Sequence, residues 1–195
     1  MPPRPLPVRV DRRVLRTRDA LLDALLSLML ERGYERLTVQ HLLDRAGVSR
    51  ATFYAHFDSK EDLLAASLER LRNALTEAGA GAASNGSRSP RFALAFFEHV
   101  GSHRRLYEST VVPEREVTVE RHLRHMLRVL VREELRKRAS GAERDGRLDL
   151  ATQFVVSALW STIVWWIEGG SPLPAAAVHE VFQGLTVPGI NSVLG

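Results

Sequence analysis

Apolar residues return every three or four positions through most of this chain, in short runs over the first third and long runs over the last. Residues 11–32 carry Val14, Leu21, Leu22, Leu25, Leu28 and Met29 at helical spacing, and Gly33 stops the run. Between residues 37 and 63 the pattern tightens. Thr38 caps one short helix, with Leu37 and Leu42 as its hydrophobic staple, and Gly47 supplies a left-handed turn. Ser49 caps a second short helix, stapled by Val48 and Phe53, and Ser59 with Asp62 opens a third as a capping box. That third helix spans residues 60–78, with Leu63, Leu64, Leu68, Leu71 and Leu75 along one side. The small and polar stretch GAGAASNGSRSP, residues 79–90, predicts a loop. Beyond it the spacing predicts helices at 91–102, 104–111, 114–139, 147–168 and 174–186, punctuated by Pro113, Gly141, Gly146, Gly169, Gly170, Pro172 and Pro174. No stretch predicts a strand, so the expected fold is all-α.

Two short capped helices joined by a glycine turn are the grammar of a helix-turn-helix DNA reader. Phe53 and Phe57, four positions apart, turn inward and leave Arg50, Thr52, Tyr54 and His56 to a partner. Arginine can pair with guanine, threonine can meet a base edge, and tyrosine, histidine and lysine can hold phosphates. Ala51 and Ala55 are small enough for the helix backbone to approach a groove closely. The plainer alternative is an ordinary helical hairpin whose polar residues face solvent.

The segment 17–64, with ERGYERLTV, RAGVSRATFYAHF and SKEDLL, resembles the N-terminal domain of the TetR family of bacterial transcriptional regulators. The resemblance covers about a quarter of the chain. It implies a three-helix DNA-binding domain at 11–58 and, at 59–195, a helical effector-binding and dimerisation domain that begins with a connecting helix at 59–78. It also implies base-reading roles for Arg50 and Thr52, and phosphate contacts from Thr38, Ser49, Tyr54, His56 and Lys60. Ala55 stands where many relatives carry a larger side chain, which puts the operator preference in doubt.

Charge strengthens the DNA reading. Residues 1–60 hold 11 Lys or Arg against 7 Asp or Glu, whereas residues 61–195 hold 16 of each, so the net +4 belongs to the first part. A positive module attracts the phosphate backbone and binds it in a salt-dependent way. The proline-spaced residues 1–10 are expected to form a flexible basic arm, either lying along DNA or serving as a solubilising tail. The 195 residues are 45% hydrophobic, enough for a core. With no cysteine, disulfides, thiolate metal sites and cysteine nucleophiles are excluded, and a reducing cytoplasm is the expected location. The opening residues do not read as a signal peptide, and the uncharged apolar run at 154–167 is shorter than a membrane span. No membrane association is expected.

The later helices carry the remaining candidates. LATQFVVSALWSTIVWWIE, residues 150–168, is apolar almost all round and needs cover on more than one side. The family resemblance implies a four-helix dimer interface from the last two helices, with Trp165, Trp166, Val178, Val181, Phe182 and Leu185 as candidates; the alternative is that both are monomer core. Phe96, Phe97, Tyr107, Met126, Phe154 and Trp160 are candidates for an apolar effector pocket, or plain core. Arg121, Arg124, Arg128, Arg132 and Arg136 form a basic ladder, read as solvated surface or an anion site. His99 with His103, and His122 with His125, have spacings that place two rings on one helical face, but no carboxylate completes a metal pattern. No metal, cofactor or catalytic residue is expected, because no GxSxG, phosphate loop or dinucleotide fingerprint is present. RRLYESTV and the WWIEGG turn resemble a subgroup in which some members work through protein partners. The expected function is a ligand-responsive repressor that binds a palindromic operator as a homodimer. The alternatives are an activator or coactivator controlled by a protein partner, and a helical ligand-binding or enzymatic protein with an incidental hairpin.

Overall fold

The computed structural model describes residues 12–81, 90–110, 117–137 and 146–194. Nine helices run through the described residues: α1 (Arg12–Arg32), α2 (Val39–Ala46), α3 (Arg50–Tyr54), α4 (Lys60–Gly81), α5 (Ala93–Ser102), α6 (Arg104–Thr110), α7 (Val117–Arg136), α8 (Arg147–Glu168) and α9 (Ala175–Leu194). No strand occurs among them, and the fold is all-α. The basic arm expected at 1–10, and Pro113 and Gly141, lie outside the described residues. The loop expected at 79–90 begins later than its composition suggests, since α4 continues through Gly81; residues 82–89 are not described.

The apolar residues collect into two clusters. One joins α1 to the short helices: Leu21, Leu25, Leu42, Phe53, Phe57 and Leu63 are among its buried members. The other runs from Leu75 to Leu194 and holds α5 to α9 together. Helix α4 serves both, with Leu63 and Leu64 in the first, Leu75 in the second and Leu68 packed against each. Two further elements cross over. Val119 at the start of α7 is buried in the first cluster, and Leu106 of α6 packs against it. The Thr118 amide donates to Glu35 Oε1 at 3.2 Å. The N-terminal head, α1 to α3, is therefore gripped by α4, α6 and the first turn of α7.

Helix α8 lies between α7 and α9. Its C-terminal carbonyls are capped from a distant element: Arg104 donates to Trp166 O at 3.1 Å and Ile167 O at 2.9 Å while pairing with Glu108 at 3.0 Å. At 22 residues α8 is longer than its uncharged run implied and is long and apolar enough to cross a bilayer, yet half of its most apolar window is buried in the protein. Helix α9 overruns the expected end at 186 and passes Pro188 to reach Leu194. An interior proline costs about 3 kcal/mol or more. Burial of Ile190 and Leu194 in the second cluster offsets that cost.

Candidate nucleic-acid interface and effector cavity

Helix α3 has only five residues, too few to persist alone, so its ends and its inner face must hold it. Ser49 Oγ accepts from the Thr52 amide at 3.1 Å, and the Ser49 and Thr52 hydroxyls share a hydrogen bond of 2.8 Å. Phe53 and Phe57 are buried beneath it. Gly47, at φ 65°, closes α2 in the left-handed conformation and turns the chain into α3. Thr38 caps α2 through a box whose far side is His41: the His41 amide donates to Thr38 Oγ1, and the Thr38 amide to His41 Nδ1, both at 3.3 Å. At α4 the return bond shifts by one residue, since the Asp62 amide donates to Ser59 Oγ while Asp62 accepts from the Asp58 amide. Arg45 ties α2 to α1 by two hydrogen bonds to Glu31, at 2.8 and 2.7 Å, and one to Ser27. The Arg45 guanidinium holds the Glu31 carboxyl below its ordinary range, chiefly through hydrogen bonding.

The structure brings the expected DNA-facing residues onto neighbouring parts of the head. Thr38, Ser49, Arg50 and Tyr54 are exposed, and Thr52 and His56 half-buried. Arg50 donates to Gln40 Oε1 at 3.1 Å, and Gln40 donates to Asp44 at 2.8 Å, which parks the guanidinium across α2. Sequence reasoning passed over Gln40 because its partner lies on another helix. Lys60 is more committed than its expected role suggests. Its ammonium donates to Tyr34 O at 3.2 Å and Leu37 O at 3.0 Å, and sits 4.3 Å from the Tyr34 ring centroid. Two of its three protons hold the head together, which leaves one for a phosphate.

A cavity of about 300 Å³ opens where the head meets the rest of the protein. Its walls come from α1 (Leu22, Leu26, Met29), α4 (Leu64, Leu68, Leu71), α5 (His99, His103), α6 (Leu106, Tyr107) and α7 (Val119, Leu123). Of the expected pocket residues, Tyr107 alone lines this cavity. Phe96, Phe97, Met126 and Trp160 are buried in the second cluster, and Phe154 is 55% exposed on α8. The His99 and His103 rings stack, centroids 4.2 Å apart and 27° from parallel. Stacked rings direct their lone pairs side by side rather than at one point, which does not suit chelation of a metal.

The expected dimer residues split. Trp166, Val178 and Phe182 are buried inside the chain, while Trp165, Val181 and Leu185 are 54%, 57% and 75% exposed. Together with Leu150 and Phe154 they leave α8 and α9 with an apolar outer face. The basic ladder on α7 is largely engaged: Arg124 pairs with Glu120 at 2.7 Å, Arg128 donates to Gln153 at 2.8 Å, and Arg132 pairs with Asp149. Arg124 also lies 4.4 Å from the Trp160 ring centroid.

Residues 21–67 match the profile of "Bacterial regulatory proteins, tetR family", and residues 89–187 match that of a "Transcriptional regulator C-terminal region". Over 111 residues, 53% of this chain and 51% of the relative, the sequence is 31% identical to the transcriptional activator FasR of Mycolicibacterium smegmatis. Over 47 residues, 24% of this chain and 23% of the relative, it is 43% identical to the transcriptional repressor KstR2 of Rhodococcus jostii. The chain spans about half or less of the curated relatives it matches. The structure of FadR from Bacillus subtilis in complex with stearoyl-CoA superposes with a TM-score of 0.64, covering 88% of this chain and 98% of FadR at 17% identity, a likeness of fold.

Proposed function

The chain belongs to the TetR family of bacterial transcriptional regulators, and we propose that it is a repressor that occupies a palindromic operator as a homodimer and leaves it when a small molecule fills the cavity. In this reading residues 11–58 form the reading domain and residues 59–195 the effector and dimerisation domain. Residues 1–10 add a basic arm. Arg50 and Thr52 read base edges, and Thr38, Ser49, Tyr54, His56 and Lys60 hold phosphates. The apolar face of α8 and α9 meets its copy in a second chain, with Trp165, Val181 and Leu185 at its centre, because a two-fold reader needs two heads about 34 Å apart. The protein acts in the cytoplasm, without a membrane and without catalysis.

The observation that carries the regulatory part is the make-up of the cavity wall. Helices α1 and α4 line it together with α5, α6 and α7, so a ligand there touches the head and the dimerisation part at once. A ligand changes the equilibrium between two head spacings only by its difference in affinity for them. A molecule that fits the cavity in the DNA-incompatible spacing therefore lowers operator occupancy. FadR, which shares the fold, has been solved with stearoyl-CoA, so this architecture accommodates a ligand with a long apolar part.

Selection of random duplex DNA by the purified protein tests the reading. An enriched palindrome is expected, bound by a species of twice the monomer mass in sedimentation. The double variant Val181→Glu with Leu185→Glu is expected to sediment as a folded monomer and lose the palindrome. A monomeric wild-type protein, or selection without a motif, would sink the proposal. The similarity to FasR favours one second reading, an activator that binds the same kind of site, and promoter-fusion assays distinguish it by the sign of the change on deletion.

A further inference from the structure

We infer that the cavity between the head and α5 to α7 takes an uncharged, largely apolar molecule with one hydroxyl head, a phenol or an alcohol, seated against His99 and Tyr107. This rests on the reading of the cavity as the effector site and adds the chemistry of its ligand. Most of the wall is aliphatic, from Leu22 and Leu26 on α1 through Leu68 and Leu71 on α4 to Leu123 on α7. Such a wall rewards apolar area and gives no orientation. Apart from Ser67 on α4, the uncharged polar side chains of the lining, His99, His103, Tyr107 and Thr110, lie on the α5 and α6 side, and orientation comes chiefly from there.

There the polar groups are not equally occupied. His103 Nδ1 lies 3.0 Å from both His99 O and Ser102 Oγ, so that side of its ring is already satisfied. Neither the ring nitrogens of His99 nor the hydroxyl of Tyr107 has a hydrogen-bond partner among the described residues, although the two rings meet edge to face with centroids 5.9 Å apart. Both residues line the cavity, so a ligand head seated there can bond to each in place of water.

The charge at this end selects the head. Burial first, and then the neighbouring His103, hold the His99 imidazole down to about 4, while burial pushes the Tyr107 phenol up. Near neutral pH both groups are therefore uncharged. A carboxylate or ammonium placed against them would lose its hydration without meeting an opposite charge. A hydroxyl accepts from Tyr107 and donates to the unprotonated nitrogen that either neutral tautomer of His99 offers. The charged residues that line the cavity, Asp23 and Arg70, are exposed, and Arg70 lies 3.7 Å from Asp19, so water screens them and they offer no buried counter-charge.

Equilibrium dialysis of the full chain at neutral pH against 4-phenylphenol, biphenyl-4-carboxylate and headless biphenyl tests the inference. The phenol is expected to bind at least tenfold more tightly than either of the others. His99→Phe and, separately, Tyr107→Phe should each cut phenol affinity about tenfold while leaving biphenyl within twofold, which also shows that the variants remain folded. A carboxylate bound as tightly as the phenol, or phenol binding untouched by both variants, would overturn the assignment of the head and leave the cavity as a ligand site. Failure of all three probes to bind, biphenyl included, would overturn the effector reading along with it.

Discussion

The reading head and the α8 and α9 pair distribute their side chains in opposite ways. In the head Phe53 and Phe57 lie inside, Arg50 and Tyr54 outside, and a five-residue helix is held by Ser49 and by the glycine turn before it. On α8 and α9 the inside is also largely apolar, with Thr152 and Thr186 buried in it, but Phe154, Trp165, Val181 and Leu185 remain on the outside as well. An exposed polar surface on a short helix needs caps and a rigid floor to keep its geometry. An exposed apolar surface on long helices needs another surface. The proposal of DNA at one end of the molecule and a second copy of the chain at the other rests on this contrast.

The largest effect should come from removing the floor of the head. Phe53→Ala is expected to cost about 3 to 5 kcal/mol in chemical denaturation and to abolish operator binding, while sedimentation still reports a dimer. Loss of the dimer in that variant would show that the two ends do not stand apart as proposed. Next comes Arg50→Ala, which should relax preference at one operator position at a cost of about 1 to 3 kcal/mol, read by binding to single-substituted duplexes. Equal weakening on random DNA would remove the base-reading role. Lys60→Ala should instead weaken all sequences alike, flatten the salt slope by about one, and also lower stability, because two backbone carbonyls lose their donor. Ser49→Ala should cost about 1 kcal/mol in the same denaturation assay, as loss of a cap does.

A further effect concerns pH and lies between the two ends. His99 resists protonation in the folded chain down to about 4, chiefly through burial, whereas in the unfolded chain it takes its proton near 6.5. Between those values the unfolded state binds more protons, so stability should fall as pH drops from 6.5 towards 4. His179 is also held down, chiefly by burial, and adds in the same direction. The fall in denaturation midpoint over that window should be shallower in His99→Phe. An unchanged slope would mean that His99 is not the group responsible.

The parts of the head that were legible in advance depend on neighbours within a few positions. Thr38, Ser49 and Gly47 act on amides and carbonyls at most four residues away, so their spacing is sufficient to read them. The Lys60 carbonyl contacts and the Gln40 to Arg50 bond escaped the same reading because their partners lie on other elements.

In the second half the helices could be drawn from periodicity, but their faces could not. Trp165 and Trp166 are adjacent and equally apolar, and about 100° of helix rotation separates them. Only packing decides that Trp166 turns towards α5, where Gly101 leaves room that a Cβ would take at 3.1 Å from its ring, and that Trp165 stays outside. Pro188 would end α9 on local grounds, yet Ile190 and Leu194 find burial beyond it and the helix continues. The cavity lies furthest from any local rule. It exists because α1 and α4 meet α5, α6 and α7, and a gap between five helices is a property of how they pack rather than of any one of their sequences. Hydrogen-bonded caps and apolar periodicity act over a few residues and are written along the chain; burial and enclosed volume depend on contacts between distant segments, and those arise only once the chain has folded.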